Sequence, residues 1–270
     1  MLSELVREYE IFDAHTHIYP DKIAAKASES IGNFYGMTAR YSEGSAEKLL
    51  SAGGEYNIRG YMVCSVATVP GQVPSINAFI ASQCGERPEF VGFGALHPAT
   101  PDPGGEIARI RELGLRGLKL HPDFQRFHID DRAVYPIYEA AQGTLPILLH
   151  MGDARTDYSR PRRLKTVLED FPRLTVVAAH LGGWEVWDDA KELLRHDNVF
   201  FDTSSVLPVL PEERATEQIL SLGAEKCFFG TDYPAWDIGA ELTLFFRLNL
   251  TRRQREMILS ENFLTFLNHF

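Results

Sequence analysis

Eight short apolar runs, each followed by room for a helix, constrain this chain more than any other feature. They fall at 11–17, 61–68, 90–97, 117–121, 146–150, 174–180, 199–203 and 227–232. Val, Ile, Leu and Phe fill them almost without interruption, as in strands covered on both faces. Eight such strands alternating with helices over ~250 residues spell an α/β chain folded as a (β/α)8, or TIM, barrel. An open doubly wound sheet would share the alternation, but no GxGxxG or GxxxxGK[ST] loop follows the first run.

The stretches between the runs carry helix punctuation. Asp102-Pro103 caps and opens a helix through Ile107, Ile110 and Leu113 that Gly114 closes. Asp130 or Asp131 precedes a helix holding Val134, Ile137 and Tyr138, and Pro211-Glu212-Glu213 opens another with acids where the helix dipole favours them. Thr251 and Gln254 form a capping box before Met257, Ile258 and Leu259. The segment 21–54 is longer than one crossover needs and is expected to be a helical insertion after strand one, over the barrel mouth. No composition shift or linker divides the chain, so residues 1–270 are expected to form a single domain.

The totals exclude several classes of function. A net charge of −10 gives no electrostatic encouragement to nucleic acid or anionic membranes. Cys64, Cys84 and Cys227 form no CxxC, which argues against a disulfide framework and a thiolate zinc site. The N-terminus lacks a basic region followed by an apolar run, and no apolar run reaches bilayer length, so the expected location is cytoplasmic. The aromatic-rich segment 242–250 reads equally as buried core or as a homo-oligomer contact.

Chemistry concentrates where the runs end. The first contains His15 and His17, spaced so that both imidazoles share one face of a strand. The fifth ends in His150, the sixth in His180 and the eighth in Asp232. A single histidine on an apolar strand is usually bonded to backbone. All of these on the C-terminal rim of one barrel converge as a divalent metal requires, and imidazole with carboxylate suits Zn2+ best, then Mn2+ or Fe2+.

The ordered motifs FDAHTH (12–17), GLKLHP (117–122), LHMG (149–152), AHLGG (179–183), FGTDYP (229–234) and ILSEN (258–262) resemble the amidohydrolase superfamily, and more closely its amidohydrolase-2 branch, which includes aminocarboxymuconate-semialdehyde decarboxylase-like enzymes. That resemblance implies His15, His17, His150 and Asp232 as ligands of one metal ion. It implies His180 as a catalytic residue that polarises substrate or water, and Asp232 as a second catalytic residue that passes the proton. In binuclear relatives a carboxylated strand-four lysine bridges two metals; here an unmodified Lys119, paired with a carboxylate or anchoring an anionic substrate, is preferred. His121, Asp153 and Arg155 are the further substrate-binding candidates, Arg155 as a bidentate partner of a carboxylate. Trp184 and Tyr233 are read as packing residues.

The expected activity is hydrolysis of a small-molecule lactone, ester or amide by metal-activated water. The alternative is non-oxidative decarboxylation of an aromatic or unsaturated acid with the same ligands, and the second alternative is a non-catalytic metal-binding barrel. The expected partner is a small-molecule substrate.

Overall fold

A computed structural model describes residues 2–36 and 43–270. Eight parallel strands follow one another around a nearly closed barrel in the order β1 to β8. They are β1 (Ile11–His17), β2 (Ile58–Cys64), β3 (Phe90–Ala95), β4 (Gly117–Leu120), β5 (Ile147–Leu149), β6 (Val176–Ala178), β7 (Val199–Asp202) and β8 (Cys227–Phe228). Helices run between them, so the TIM barrel read from the periodic runs is the observed fold.

Strand alternation divides the apolar residues into two sets. Ile147, Leu149, Val176, Ala178, Val199 and Phe201 belong to the large cluster that the helices cover. Met62, Phe93, Leu148, Val177 and Phe228 belong to a second cluster, together with Phe263 and Phe266. Those last two rings come from the helix Asn262–Leu267 and lie 5.5 and 5.3 Å from Phe228, an aromatic floor beneath the strands. Lys119 lies between Leu118 and Leu120 of the first set, and so faces the barrel interior.

The punctuation produces the expected helices. Asp102 accepts from the Gly105 amide to cap Pro103–Glu112, and Thr251 and Gln254 form the capping box of Arg252–Glu256. Asp131 caps a short 3₁₀ turn, Arg132–Val134, ahead of Tyr135–Ala141. The insertion after β1 is helical: Asp21–Tyr35 and Ala46–Gly53 flank residues 37–42, which lie outside the described residues. Of the described helices none is long and apolar enough to cross a membrane.

Several strands end earlier than the apolar runs. The sixth run reaches His180, yet β6 stops at Ala178; the eighth reaches Asp232, yet β8 stops at Phe228. His180 has φ 60° and Asp232 has φ 59°, left-handed backbone that cannot continue a strand. β1 instead keeps its full length but bulges between Asp13 and Thr16, where three steps along β1 match two along β2. A bulge turns the side chains beside it, and this one falls at His15.

Between β8 and β1 the barrel closes outside the regular ladders. Ala14 N–H donates to the Phe229 carbonyl at 2.8 Å, Asp232 N–H to His15 at 2.8 Å and His17 N–H to Tyr233 at 2.7 Å. Asp13 reinforces the seam by accepting from the Thr231 amide at 3.0 Å and its hydroxyl at 2.6 Å.

Candidate active site

The C-terminal rim of the barrel holds a narrow cavity with about 40 Å³ of free space. His15, His17, Lys119, His121, His150, His180 and Asp232 all line it. Tyr19, Tyr35, Phe124, Trp184 and Trp236 supply aromatic walls.

His15, His17 and Asp232 come together as the chain's resemblance implies, each offering a ligand atom within 4.8 Å of the others. Asp232 Oδ1 lies 3.1 Å from His17 Nε2 and 3.6 Å from His15 Nε2. Ser205 donates to its other oxygen at 2.7 Å and itself accepts from the Trp236 indole at 2.9 Å. Burial raises the Asp232 carboxyl, but the adjoining His15 and His17 more than offset it and hold it well below the carboxylate range.

Asp202, at the end of β7, orients His15. Its Oδ2 accepts from His15 Nδ1 at 3.1 Å, and its Oδ1 accepts from the amides of His180 at 3.2 Å and Ser204 at 3.1 Å and from the Ser204 hydroxyl. Burial raises this carboxyl too, yet His15, His180 and Ser204 bring it down to about 2. Burial and then the Lys119 charge push His15 down to about 4 against the pull of Asp202 and Asp232. The contact at neutral pH is thus a neutral imidazole donating Nδ1–H to a carboxylate, with the Nε2 lone pair turned inward. Lys119 Nζ lies 3.1 Å from that lone pair, not on a carboxylate.

His150 departs from the expected ligand set. It lines the cavity but groups with His121 and Asp123, not with His15, His17 and Asp232. Its ring is stacked on His121 at 3.8 Å, and its Nδ1 faces His180 Nε2 at 2.9 Å. Burial first, then neighbouring cationic groups, put both His121 and His150 well below the usual imidazole range. Both are therefore neutral, and a backbone partner assigns the tautomer of His121. Phe124 N–H donates to His121 Nδ1 at 3.3 Å, which leaves the proton on His121 Nε2. The Ser204 carbonyl accepts from His180 Nδ1 at 2.9 Å, and His180 Nε2 lies 2.9 Å from His150 Nδ1.

Asp153 and Arg155 do not line the cavity. Arg155 pairs with Asp153 through Nε at 2.9 Å and Nη2 at 2.7 Å, and donates Nη1 to the Phe34 carbonyl at 2.8 Å. The pair holds down the end of the helix Asp21–Tyr35, so its guanidinium fork is already engaged. Trp184 does more than pack: it walls the cavity, and its buried indole N–H has no partner among the described residues. Tyr233 instead donates to the Glu43 carbonyl at 3.0 Å.

The sequence reading passed over Asp202, Ser204, Ser205, Asp123 and Tyr35. Asp202-Thr-Ser-Ser205 follows an apolar run as directly as His150 and His180 do, and that was the available signal. Nothing in the sequence marks Tyr35, because its position depends on how the insertion folds back.

The donor set fits a divalent ion. Two imidazoles and a carboxylate converge in a buried pocket, and a carboxylate orients one imidazole from behind, as is usual for a ligating histidine.

Known structures share this architecture. An uncharacterized TIM-barrel protein from Bordetella bronchiseptica aligns with TM-score 0.78 and 22% identity over 96% of this chain and 99% of that one. Dihydroxybenzoic acid decarboxylase from Polaromonas sp. JS666, with bound manganese and the inhibitor 2-nitroresorcinol, aligns with TM-score 0.73 and 15% identity over 96% and 97%. A probable 2-pyrone-4,6-dicarboxylic acid hydrolase from Acinetobacter baumannii aligns with TM-score 0.68 and 16% identity over 96% and 99%. Further similar structures are 5-carboxyvanillate and 2,6-dihydroxybenzoate decarboxylases. No curated protein sequence matches the chain. The amidohydrolase sequence profile, however, matches residues 12–267, from β1 to the last helix. With the barrel and its rim of histidines, that match establishes that the chain is an enzyme of the amidohydrolase family.

Proposed function

We propose that this enzyme is a metal-dependent, non-oxidative decarboxylase of an aromatic carboxylic acid. The observation that carries the reading is the cavity, where flat aromatic walls stand above buried cationic and imidazole groups. That lining suits a planar conjugated acid better than an extended ester or amide. Likeness to manganese-containing decarboxylases supports it, and favours Mn2+ as readily as Zn2+. This reverses the order expected from sequence. Hydrolysis stays second, supported by the likeness to the probable pyrone dicarboxylic acid hydrolase.

In this reading His15, His17 and Asp232 hold the ion, with His150 as the fourth ligand. When bound, the ion would orient the substrate and draw electron density from it. Lys119 and the Trp184 indole N–H are donors for the substrate carboxylate. Loss of CO2 leaves an electron pair on the ring carbon, which must gain a proton. His180 and Asp232 line the cavity and are the groups proposed to deliver it: His180 keeps Nδ1 on the Ser204 carbonyl while its Nε2 carries the proton, and Ser205 fixes the angle of Asp232.

The test is to load the protein with Mn2+ or Zn2+ and follow CO2 and acid release from hydroxybenzoic acids, lactones and esters side by side. CO2 release that is lost in H180N with the metal retained is expected. Acid release from a lactone or ester without CO2 from any acid would overturn the reading.

A further inference from the structure

We propose that the edge formed by His121 and His150 is a subsite for a phenolic oxygen, which Tyr35 occupies from the insertion helix until substrate takes its place. The inference deepens the decarboxylase reading and rests on it for one thing, that the substrate is an aromatic acid.

The Tyr35 hydroxyl lies 3.1 Å from His121 Nε2 and 3.5 Å from His150 Nε2. Phe124 N–H occupies His121 Nδ1, which makes His121 Nε2 the donor to this oxygen, and His150 Nε2 flanks it on the other side. A hydroxyl accepts from His121 and still has a proton to turn toward His150, whereas a methyl ether has none and carries a methyl group in its place. The position suits a hydroxyl oxygen on an aromatic ring.

The surroundings of the Tyr35 ring fit the same ligand. Phe124 stacks on His121 at 3.8 Å, and the Trp184 ring meets Tyr35 edge-on at 5.3 Å. A second phenol entering the slot would meet the same faces. The free space left, about 40 Å³, is small beside the roughly 150 Å³ of an apolar cavity that binds benzene. Something lining the cavity must therefore yield when such a substrate enters. Most of the polar lining comes from strand ends tied into the barrel, whereas Tyr35 is delivered from outside it, by the last residue of Asp21–Tyr35. Arg155 anchors the neighbouring carbonyl of Phe34 and lies 5.4 Å from the Tyr35 ring, so the clamp fixes the backbone and exchange falls to the side chain.

The experiment is a calorimetric titration of the metal-loaded full chain with phenol and with anisole, in wild type, Y35F, Y35L and H121A. Removing two competing hydrogen bonds should tighten phenol about fivefold or more in Y35F, and at least as much in Y35L. Anisole should bind weakly to every form, and H121A should lose phenol affinity. Unchanged or weaker phenol binding in both Tyr35 variants would overturn the proposal, as would anisole binding as well as phenol. Phenol has no carboxyl group, so the titration is independent of turnover. A protein that tightens on phenol in Y35F but releases no CO2 from any acid keeps the subsite and loses the decarboxylase reading.

Discussion

Replacing Asp202 with Asn tests how the metal site is prepared. The carboxylate is fully buried, and its two oxygens have different duties. Oδ1 accepts from two backbone amides and the Ser204 hydroxyl, while among the described residues Oδ2 accepts from His15 Nδ1 alone, a nitrogen that also lies 2.9 Å from the Ser204 hydroxyl. In D202N the amide oxygen must stay with the three donors, which turns the NH2 group toward His15 Nδ1. Two donors then face each other. The imidazole relieves this by moving its proton to Nε2, the nitrogen that should hold the ion. Loss of such an orienting partner typically costs 10–100-fold in metal affinity, about 1.4–2.7 kcal/mol. Competition titration against a fluorescent chelator measures it directly, with urea unfolding of the metal-free protein as the control for folding. D202A should fall less far, because removing the carboxylate leaves His15 free to choose its tautomer. D202N binding metal as tightly as wild type, while folded, would refute the account of His15.

Three further outcomes follow from the structure. S205A removes the hydroxyl between Trp236 and Asp232, and is expected to lower kcat about tenfold with KM nearly unchanged; a rise in KM alone would contradict a positioning role. Glu241 is buried with both carboxylate oxygens unpaired among the described residues, and burial first, then nearby acids, pushes its carboxyl well above the ordinary range. Because its folded pKa is raised, the penalty is absent below the unfolded value and grows as pH rises above it, by about 1.4 kcal/mol per unit until the folded pKa is reached. E241Q should therefore match wild type in urea unfolding at pH 4 and exceed it at pH 8; equal stability at both would show Glu241 to be paired. R155A frees the Phe34 carbonyl and should speed hydrogen exchange across 21–35 relative to the strands, whereas unchanged protection would mean that the clamp does not hold the helix.

What the sequence disclosed and what it hid divide along physical lines. Strands covered on both faces must be apolar throughout, so the barrel could be read from eight runs without any long-range information. Residues ending those runs, such as His180 and Asp232, stand out because a polar side chain there breaks the pattern. Lys119 could be placed inside the barrel by alternation, but its partner could not, since His15 reaches it from the opposite side of the sheet order. Arg155 looked like an anion hook because a loop arginine beside a ligand strand is equally consistent with both outcomes. Its capture by Asp153 depends on the turn between them. Tyr35 was hidden because its function comes from the path of the insertion, which local pattern does not specify.

The seam between β8 and β1 gives the site a property of its own. His15 and His17 stand on one lip and Asp232 on the other, and Asp13 ties to Thr231 across 218 residues of chain. Contacts so distant along a chain assemble late, after the local units have formed. The candidate site is therefore complete only once both ends of the barrel have met. In a polypeptide not yet synthesised through Asp232, or whose terminal strands have parted, the proposed ligands His15, His17 and Asp232 would not stand together. Conversely, an ion seated there would act as a rivet across the barrel's joint, so that loss of the ion should be felt first as parting of the two end strands.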